Sequence, residues 1–120
     1  MAKILIVDDE IQFIKMTQLR LESSGYEVIW AYNGEEGLSK AKSEMPDLII
    51  LDLMMPVMDG YTMLKELRMD GQIKNIPVML CSAKMVQEIE EIRRKLGADG
   101  CMKKPFDSAE FLAKVKALLS

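Results

Sequence analysis

Short apolar runs alternate with longer amphipathic segments along the whole chain. The segments between the runs are about ten to fifteen residues long or a little more, which is the length that a crossover helix between parallel strands requires. Apolarity is continuous in the first, third and fourth runs, which indicates strands covered by helices on both faces. The pattern therefore predicts an α/β fold, with a five-stranded parallel sheet and five helices on both of its faces. The predicted strands are KILIV (3–7), EVIWA (27–31), DLIIL (47–51), IPVMLC (76–81) and GCMK (100–103).

The predicted helices carry apolar stripes at helical spacing and glycines near their ends. Residues three or four positions apart lie on one face of a helix, so such a stripe predicts the face that packs on the sheet. Gly25 and Gly97 follow the first and fourth stripes, and glycine commonly ends a helix in the left-handed conformation. The predicted stripes are Ile11, Ile14 and Leu21 in the first helix, Met85, Ile89, Ile92 and Leu96 in the fourth, and Phe111, Val115, Leu118 and Leu119 in the fifth.

Polar residues stand where three of the helices are expected to begin. Asn33 precedes Glu36 by three residues, which is the spacing of a capping box. Asp107 precedes Glu110 by the same interval. Asp59 has the corresponding position before the third helix. We predict that these residues cap the second, third and fifth helices, and that Asp59 is a cap and not a metal ligand.

Composition and charge exclude several classes of function. The 120 residues, 49% of them apolar, suffice for one globular domain, which we predict to span residues 1–120 without an output domain. No apolar run is long enough to cross a bilayer, and the acids of MAKILIVDDE come too early for a signal peptide. A cytoplasmic location without membrane contact is therefore expected. The net charge of −3, with dispersed basic residues, argues against direct binding to nucleic acid.

The chain contains no histidine and two cysteines. Without histidine, any metal site or proton transfer must depend on carboxylates, lysines and hydroxyls. Cys81 and Cys101 lie in apolar segments and are not spaced as a CxxC pair, so we predict that both are buried, reduced thiols.

The residues with reactive side chains are concentrated at the carboxyl ends of the predicted strands. Asp8 and Asp9 come after the first strand, and Asp52 ends the third. Ser82 follows the fourth strand and Lys104 the fifth. In open α/β sheets the ligand crevice lies outside these ends, where the strand order reverses. In the doubly wound order 2-1-3-4-5, strands one and three are neighbours, so the aspartates should converge near the serine and the lysine.

Converging carboxylates repel one another unless a cation lies between them. Mg²⁺ is the expected ion, because proteins hold it with one or two carboxylates, a phosphate and retained water. A carboxylate can attack phosphorus to form an acyl phosphate when the charge on the transferring oxygens is neutralised. Mg²⁺ and Lys104 would supply this neutralisation, and Ser82 could then donate a hydrogen bond to a phosphoryl oxygen. The pattern favours Asp52 as a phosphoryl acceptor that is exposed at the mouth of the crevice.

The blocks ILIVDDE, DLIILDLMMPVMDG, PVMLCSA and GADGCMKKPF resemble, in order and spacing, the receiver domain of two-component response regulators of the CheY-like superfamily. The resemblance covers the whole chain and implies a flavodoxin-like fold. It implies that Asp52 is the phosphoacceptor and that Asp8 and Asp9 form the metal pair, with Asp9 as the direct ligand. The backbone carbonyl of Met54 would be a further ligand. The implied metal is Mg²⁺, with Mn²⁺ as a substitute.

The same resemblance assigns roles near the ends of strands four and five. Ser82 resembles the switch hydroxyl, and Lys104 resembles the lysine that a cis bond joins to Pro105, which an X-Pro bond makes plausible. Lys103 is the rival lysine, but no proline follows it. Three residues before the lysine, Cys101 replaces the family's usual aromatic ring, and a thiol is too small to fill the same space. Closure of a loop onto the phosphoryl group through Ser82 is therefore expected in place of a rotating ring.

The resemblance implies a phosphorylation switch and not an enzyme that turns over a substrate. A sensor histidine kinase or a phosphotransfer protein would donate the phosphoryl group. The face formed by the fourth helix, fifth strand and fifth helix would then change its affinity for a protein target. Such a domain can be a monomer or a phosphorylation-dependent dimer, and it can also be a part of a DNA-binding response regulator.

Three other functions fit parts of the pattern. A flavin-binding electron carrier needs a phosphate cradle after the first strand, where Asp8, Asp9 and Glu10 would repel phosphate. A metal-dependent phosphohydrolase carries a DxD pattern at its nucleophile, and Met54 stands at the second acidic position. A receiver-like adaptor that works without phosphate stays open. Glu10 itself is expected only to favour the positive N-terminus of the first helix.

Overall fold

The computed structural model of the protein describes residues 1–120, in which five strands alternate with five helices. All strand pairs are parallel, and the sheet has the order 2-1-3-4-5, so the predicted fold class and strand order are confirmed. None of the helices has the length and apolar surface that a bilayer span requires. The strands are β1 (Lys3–Val7), β2 (Glu27–Ala31), β3 (Leu48–Asp52), β4 (Val78–Ser82) and β5 (Gly100–Lys103). The helices are α1 (Ile11–Ser23), α2 (Gly34–Glu44), α3 (Gly60–Met69), α4 (Val86–Leu96) and α5 (Ser108–Leu118).

Alternate residues of the central strands belong to two separate apolar clusters, one on each face of the sheet. In β1, Leu5 and Val7 belong to the cluster that includes buried residues of α2, α3 and α4. Ile4 and Ile6 belong to the cluster that includes buried residues of α1 and α5. Every residue of β3 and β4 is buried. The continuous apolar runs thus correspond to strands with helices on both faces, which leaves the strand ends as the place where polar groups meet solvent.

Side-chain caps begin α2, α3 and α5, as predicted. Each cap supplies an acceptor to a backbone amide that has no partner within the first turn of its helix. The cap of α3 also fixes the start of that helix close to the end of β3, and thus close to Asp52. The hydrogen bonds run from the Glu36 amide to Asn33 Oδ1 (2.9 Å), from the Thr62 amide to Asp59 Oδ1 (2.9 Å) and from the Glu110 amide to Asp107 Oδ2 (3.1 Å).

Two predicted core residues are exposed. Met85 is the N-cap residue of α4 and is 60% exposed, because its extended backbone precedes the first helical turn and does not continue the helix that carries Ile89. Ile11 is the first residue of α1 and is 53% exposed, since the buried face of that helix begins one turn later at Ile14. Both errors arise at the first turn, where an apolar residue continues the spacing of the stripe but lies at the rim of the domain.

Candidate functional site

Asp8, Asp9 and Asp52 come together at the carboxyl edge of the sheet because β1 and β3 are neighbours. Val7 pairs with Leu51 in the register of these strands, so Asp8 and Asp52, which follow that pair, lie side by side. One carboxylate oxygen from each of the three aspartates lies within 4.8 Å of the others. The predicted convergence is confirmed.

The aspartates differ in exposure, and the prediction that Asp52 is exposed is wrong. Asp52 is 7% exposed and Asp8 is 1% exposed, whereas Asp9 is open to solvent. Asp52 is the last residue of β3, so the adjacent strands β1 and β4 cover it on both sides. A phosphoryl donor would have to reach it through a cavity of about 460 Å³. The other residues that line this cavity are Asp9, Glu10, Met54, Ser82, Ala83, Lys84 and Lys104.

The ammonium group of Lys104 lies among the carboxylates. Its Nζ atom is 2.6 Å from Asp8 Oδ2 and 3.1 Å from Glu10 Oε1. The distance from Nζ to Asp52 Oδ2 is longer, at 3.9 Å. Nζ also lies 4.0 Å from the centre of the Phe13 ring, and the face of an aromatic ring attracts a cation. Lys104 thus brings the only ammonium group that contacts Asp8 and Asp52.

Lys103, the last residue of β5, and Lys104, which follows it, contact different parts of the protein. The peptide bond between Lys104 and Pro105 is cis, as expected, and the Lys104 amide donates a hydrogen bond to the carbonyl of Ser82 at 2.7 Å. Lys103 Nζ instead donates to the carbonyl of Ala83 at 2.8 Å. Lys103 therefore holds the loop after β4, and of the two lysines only Lys104 reaches the carboxylates.

Ser82 is the last residue of β4, one strand away from Asp52, and it is 1% exposed. Its Oγ atom accepts a hydrogen bond from the Lys84 amide at 3.2 Å. This bond uses a lone pair of the oxygen, so the hydroxyl proton remains available for donation. Because Ser82 lines the same cavity as Asp52, it can act as a donor to an anionic group bound there.

The pKa values of the buried carboxyl groups are raised. Burial raises the pKa of Asp52 to about 6, and the negative charge of Asp8 adds to this effect. The positive charge of Lys104 and the backbone amide of Met54 act in the opposite direction. Burial also raises the pKa of Asp8, although the hydrogen bond from Lys104 lowers it. The negative charges of Asp8 and Asp9 both raise the pKa of Asp52, and the single ammonium group of Lys104 does not offset this repulsion.

These residues fit a small divalent cation with oxygen ligands. The carboxylate oxygens lie within 4.8 Å of one another, and two oxygens that each bind Mg²⁺ at about 2.1 Å are at most about 4.2 Å apart, so a small movement of the side chains would allow them to share the ion. The two Asp8 oxygens accept hydrogen bonds from the Glu10 amide (2.9 Å) and Lys104 (2.6 Å), and each keeps a lone pair for a metal. Asp9 is exposed and Met54 lines the cavity, but coordination by the Met54 carbonyl stays a prediction.

Without metal, we expect ionisation of Asp52 to destabilise the folded protein. Its pKa of about 6 lies above the ordinary value of 3.8, so the folded state binds this proton more tightly than the unfolded chain. Stability is therefore lost as the pH rises through this interval, by about 2 kcal/mol for a shift of about two pH units with some relaxation. Urea unfolding in EDTA, at about pH 4 and pH 7, measures this loss.

Asp52→Asn is the control for this titration, because the amide does not ionise. We expect the variant and the wild type to have equal stability at the lower pH. At the higher pH the variant should be more stable by about 2 kcal/mol, and Mg²⁺ should reduce the difference by stabilising the wild type. Equal stability of the two metal-free proteins at the higher pH would contradict the raised pKa.

Cys81 is fully buried, as predicted, but Cys101 is only half-buried. Cys101 Sγ lies 3.2 Å from Glu90 Oε2 and donates a hydrogen bond to it. Lys114 Nζ donates to the carbonyl oxygen of Cys101 at 2.9 Å. Where the family's aromatic ring usually lies, the thiol therefore connects β5 to α4, and the backbone connects β5 to α5.

Two residues that contact Lys104 were not found from the sequence. Glu10 was expected only to favour the positive N-terminus of the first helix. In the structure its side chain makes no capping hydrogen bond and forms an ion pair with Lys104. Phe13 was given no role. Both residues lie near the start of α1, but the position of Lys104 beside them depends on the fold and not on the local sequence.

A family model of the response regulator receiver domain matches residues 4–116. The chain belongs to this family. Receiver domains of response regulators are phosphorylation-activated switches, bind Mg²⁺ at an acidic pocket and interact with histidine kinases or phosphotransfer proteins. This chain has an acidic cluster, formed by Asp8, Asp9 and Asp52.

Relatives of known sequence and structure agree with this assignment. The chain is 46% identical to the alkaline phosphatase synthesis transcriptional regulatory protein PhoP of Bacillus subtilis, over 98% of this chain and 48% of the relative. It is 40% identical to the CpxR homolog of Haemophilus influenzae, over 99% of this chain and 51% of the relative. The chain thus spans about half the length of these curated relatives. The structure of the chemotaxis response regulator CheY4 of Vibrio cholerae superimposes with a TM-score of 0.91 and 37% identity, covering 99% of both chains.

Proposed function

We propose that Asp52 accepts a phosphoryl group from a sensor histidine kinase or a phosphotransfer protein. The observation that supports this proposal is the position of Asp52, a buried carboxylate with a raised pKa that lies beside Asp8, Lys104 and Ser82 and lines an open cavity. Asp8, Asp9, Asp52 and the Met54 carbonyl would hold Mg²⁺, for which Mn²⁺ could substitute. When bound, the ion would neutralise charge on the phosphoryl oxygens.

The transfer is a displacement at phosphorus. An Asp52 carboxylate oxygen forms a bond to phosphorus while the bond between phosphorus and the donor's histidine nitrogen breaks. The electron pair of the broken bond stays on that nitrogen, and a ring protonated at its other nitrogen leaves as neutral imidazole. Lys104 offsets the negative charge that the phosphoryl group brings. The ammonium group already lies 3.9 Å from the Asp52 carboxylate, so only a small displacement is required.

The phosphoryl group would then act on the loop that follows β4. Ser82 can donate its hydroxyl proton to a phosphoryl oxygen, and the backbone of the next residues connects Ser82 to α4. Movement of that loop would alter the surface formed by α4, β5 and α5, and with it the affinity for a protein target. The domain would act as a signalling switch that catalyses only its own phosphorylation and dephosphorylation.

The target can be a separate protein or another part of a longer protein. CheY4 is matched over nearly its full length, whereas the matched transcriptional regulators are about twice as long as this chain. We propose the same chemistry at Asp52 for both arrangements, because the chemistry depends only on residues within the domain.

Incubation with acetyl phosphate and Mg²⁺ tests the proposed function. We expect the intact mass to increase by one phosphoryl group, and we expect EDTA to prevent the increase because the carboxylates and the phosphoryl group would repel each other. Hydroxylamine should remove the group, as it does from an acyl phosphate. An unchanged mass at saturating Mg²⁺ would support the adaptor that works without phosphate.

A further inference from the structure

Glu10 contacts Lys104, the lysine of the proposed phosphorylation site, more closely than Asp52 does. It occupies the N-cap position of α1, yet its carboxylate accepts no hydrogen bond from the first turn of the helix. Instead Glu10 Oε1 lies 3.1 Å from Lys104 Nζ. The two residues are 94 positions apart in the sequence, so the fold alone brings them together.

The position of Lys104 is asymmetric with respect to the carboxylates around it. Its ammonium group contacts Asp8 at 2.6 Å and Glu10 at 3.1 Å but remains 3.9 Å from Asp52. The centre of the Phe13 ring, in the first turn of the helix that Glu10 precedes, lies 4.0 Å from the ammonium group. The carboxylates of Asp8 and Glu10 are therefore closer to the ammonium group than Asp52 Oδ2 is, so its closest charged partners are not the phosphoryl acceptor.

Of the two carboxylates bound to Lys104, only Glu10 is free to move. Asp8 has a side-chain exposure of 1%, and its second oxygen accepts the Glu10 amide at 2.9 Å. The Glu10 side chain is 64% exposed and makes no other polar contact. The Lys104 side chain is only 13% exposed. Its ammonium group can therefore exchange the Glu10 carboxylate for another anionic partner within the site while the side chain stays buried.

We infer that Glu10 is a positioning residue that competes with the phosphoryl group for Lys104. The inference rests on the proposed function of Asp52 and deepens it. In the unphosphorylated protein Glu10 holds the ammonium group away from Asp52, and during transfer Lys104 exchanges this contact for the phosphoryl oxygens. Glu10 thus slows phosphorylation and weakens the phosphorylated state, because its contact with Lys104 must be given up.

Glu10→Gln tests this role in the full chain with acetyl phosphate and Mg²⁺. We expect phosphorylation of Asp52, measured by intact mass, to be about two- to fivefold faster than in the wild type, which is the factor that an exposed ion pair of about 0.5–1 kcal/mol represents. Glu35→Gln is the matched control. Glu35 lies in the first turn of α2 and pairs with no lysine or arginine, and the variant removes the same charge. It should react at the wild-type rate.

Removal of a charge near the cavity could also act by reducing repulsion of the anionic donor, and a double-variant comparison separates the two effects. In a Lys104→Met background, Glu10→Gln should leave the rate unchanged if Glu10 acts through Lys104. An equal acceleration in that background would overturn the inference and assign the effect to repulsion. If the wild type gains a phosphoryl group but Glu10→Gln reacts at the same rate, the inference fails while the proposed function stands. A wild type that gains none overturns both.

A measurement without metal or phosphoryl donor tests the contact itself. In the metal-free protein we expect the side-chain carboxyl ¹³C resonance of Glu10, assigned by its loss in Glu10→Gln, to shift when Lys104 is replaced by Met. The corresponding resonance of Glu35 should not shift. An unchanged Glu10 resonance would show that the ion pair is not formed in solution, and the inference would be wrong.

Discussion

Asp52→Asn is expected to abolish phosphorylation by acetyl phosphate and Mg²⁺ and to leave the fold intact. An amide oxygen is a poor nucleophile and cannot form the acyl phosphate, so the loss should be complete within the sensitivity of intact-mass measurement. The substitution preserves the shape of the side chain and removes a charge from a buried position, and we therefore expect no loss of stability. A mass increase that persists in the variant would remove the assignment of Asp52.

The neighbouring aspartates are not expected to replace Asp52. Both oxygens of Asp8 are engaged, one by the Glu10 amide at 2.9 Å and the other by Lys104 at 2.6 Å. The pKa of Asp52 is raised to about 6, mainly by burial, which makes its carboxylate a more basic nucleophile than an ordinary aspartate once it has ionised. No hydrogen bond from a side chain occupies its oxygens, and Lys104 is 3.9 Å away.

A second carboxylate at the same edge of the sheet provides a matched control. Asp59 caps α3 through the Thr62 amide at 2.9 Å, and asparagine is an equally good N-cap residue. Asp59→Asn therefore changes one charge without loss of the cap. We expect this variant to acquire a phosphoryl group to the same extent as the wild type. Together the two variants separate the loss of a nucleophile from a general change of charge at the site.

The fold and the convergence of the site follow from the sequence by a few rules. A strand with one exposed face alternates apolar and polar residues. The apolar runs of this chain have the length of a strand but do not alternate, which indicates a sheet covered on both faces. Once the strand order is given, Asp8 and Asp52 must lie side by side, because Asp8 follows β1 and Asp52 ends the neighbouring strand β3. The caps at Asn33, Asp59 and Asp107 are local features, and local spacing was sufficient to predict them.

The errors concern properties that depend on contacts across the fold. The burial of Asp52 is set by the strands on either side of it, and no pattern within the run DLIILD contains that information. The exposure of Met85 depends on where α4 begins, since spacing alone cannot distinguish a cap residue from the first core residue. The ion pair between Glu10 and Lys104 joins residues that are 94 positions apart in the sequence. It could not be predicted from local spacing, because it depends on the position of β5 beside β4.

Gly60→Ala is expected to destabilise the protein strongly and to impair the site at the same time. Gly60 is the first residue of α3 and approaches the end of β3 so closely that its amide donates to the Leu53 carbonyl at 3.1 Å. A Cβ atom at this position would lie 2.2 Å from the Asp52 carbonyl oxygen and 2.8 Å from the Leu53 Cα atom. Both are backbone atoms of the segment that carries the proposed phosphoacceptor, so no side chain can move aside to relieve the contact.

The helix and the strand end must therefore separate in the variant. We expect a loss of about 3 kcal/mol in the free energy of unfolding, at the upper end of what overpacking costs. Phosphorylation of the fraction that folds should also be slower, because a displaced Asp52 no longer lies beside Asp8 and Lys104. Urea unfolding followed by circular dichroism gives the first quantity, and intact mass after incubation with acetyl phosphate gives the second.

Gly71→Ala is the matched control for this substitution. A Cβ atom at Gly71 meets no atom within 4 Å, so this variant should stay within about 0.5 kcal/mol of the wild type and react normally. If Gly60→Ala were as stable as Gly71→Ala, the close approach of α3 to β3 would be wrong. If it were unstable but reacted at the wild-type rate, the position of Asp52 would not depend on the start of α3. The paired variants thus test whether the packing that buries the end of β3 is also what aligns its carboxylate.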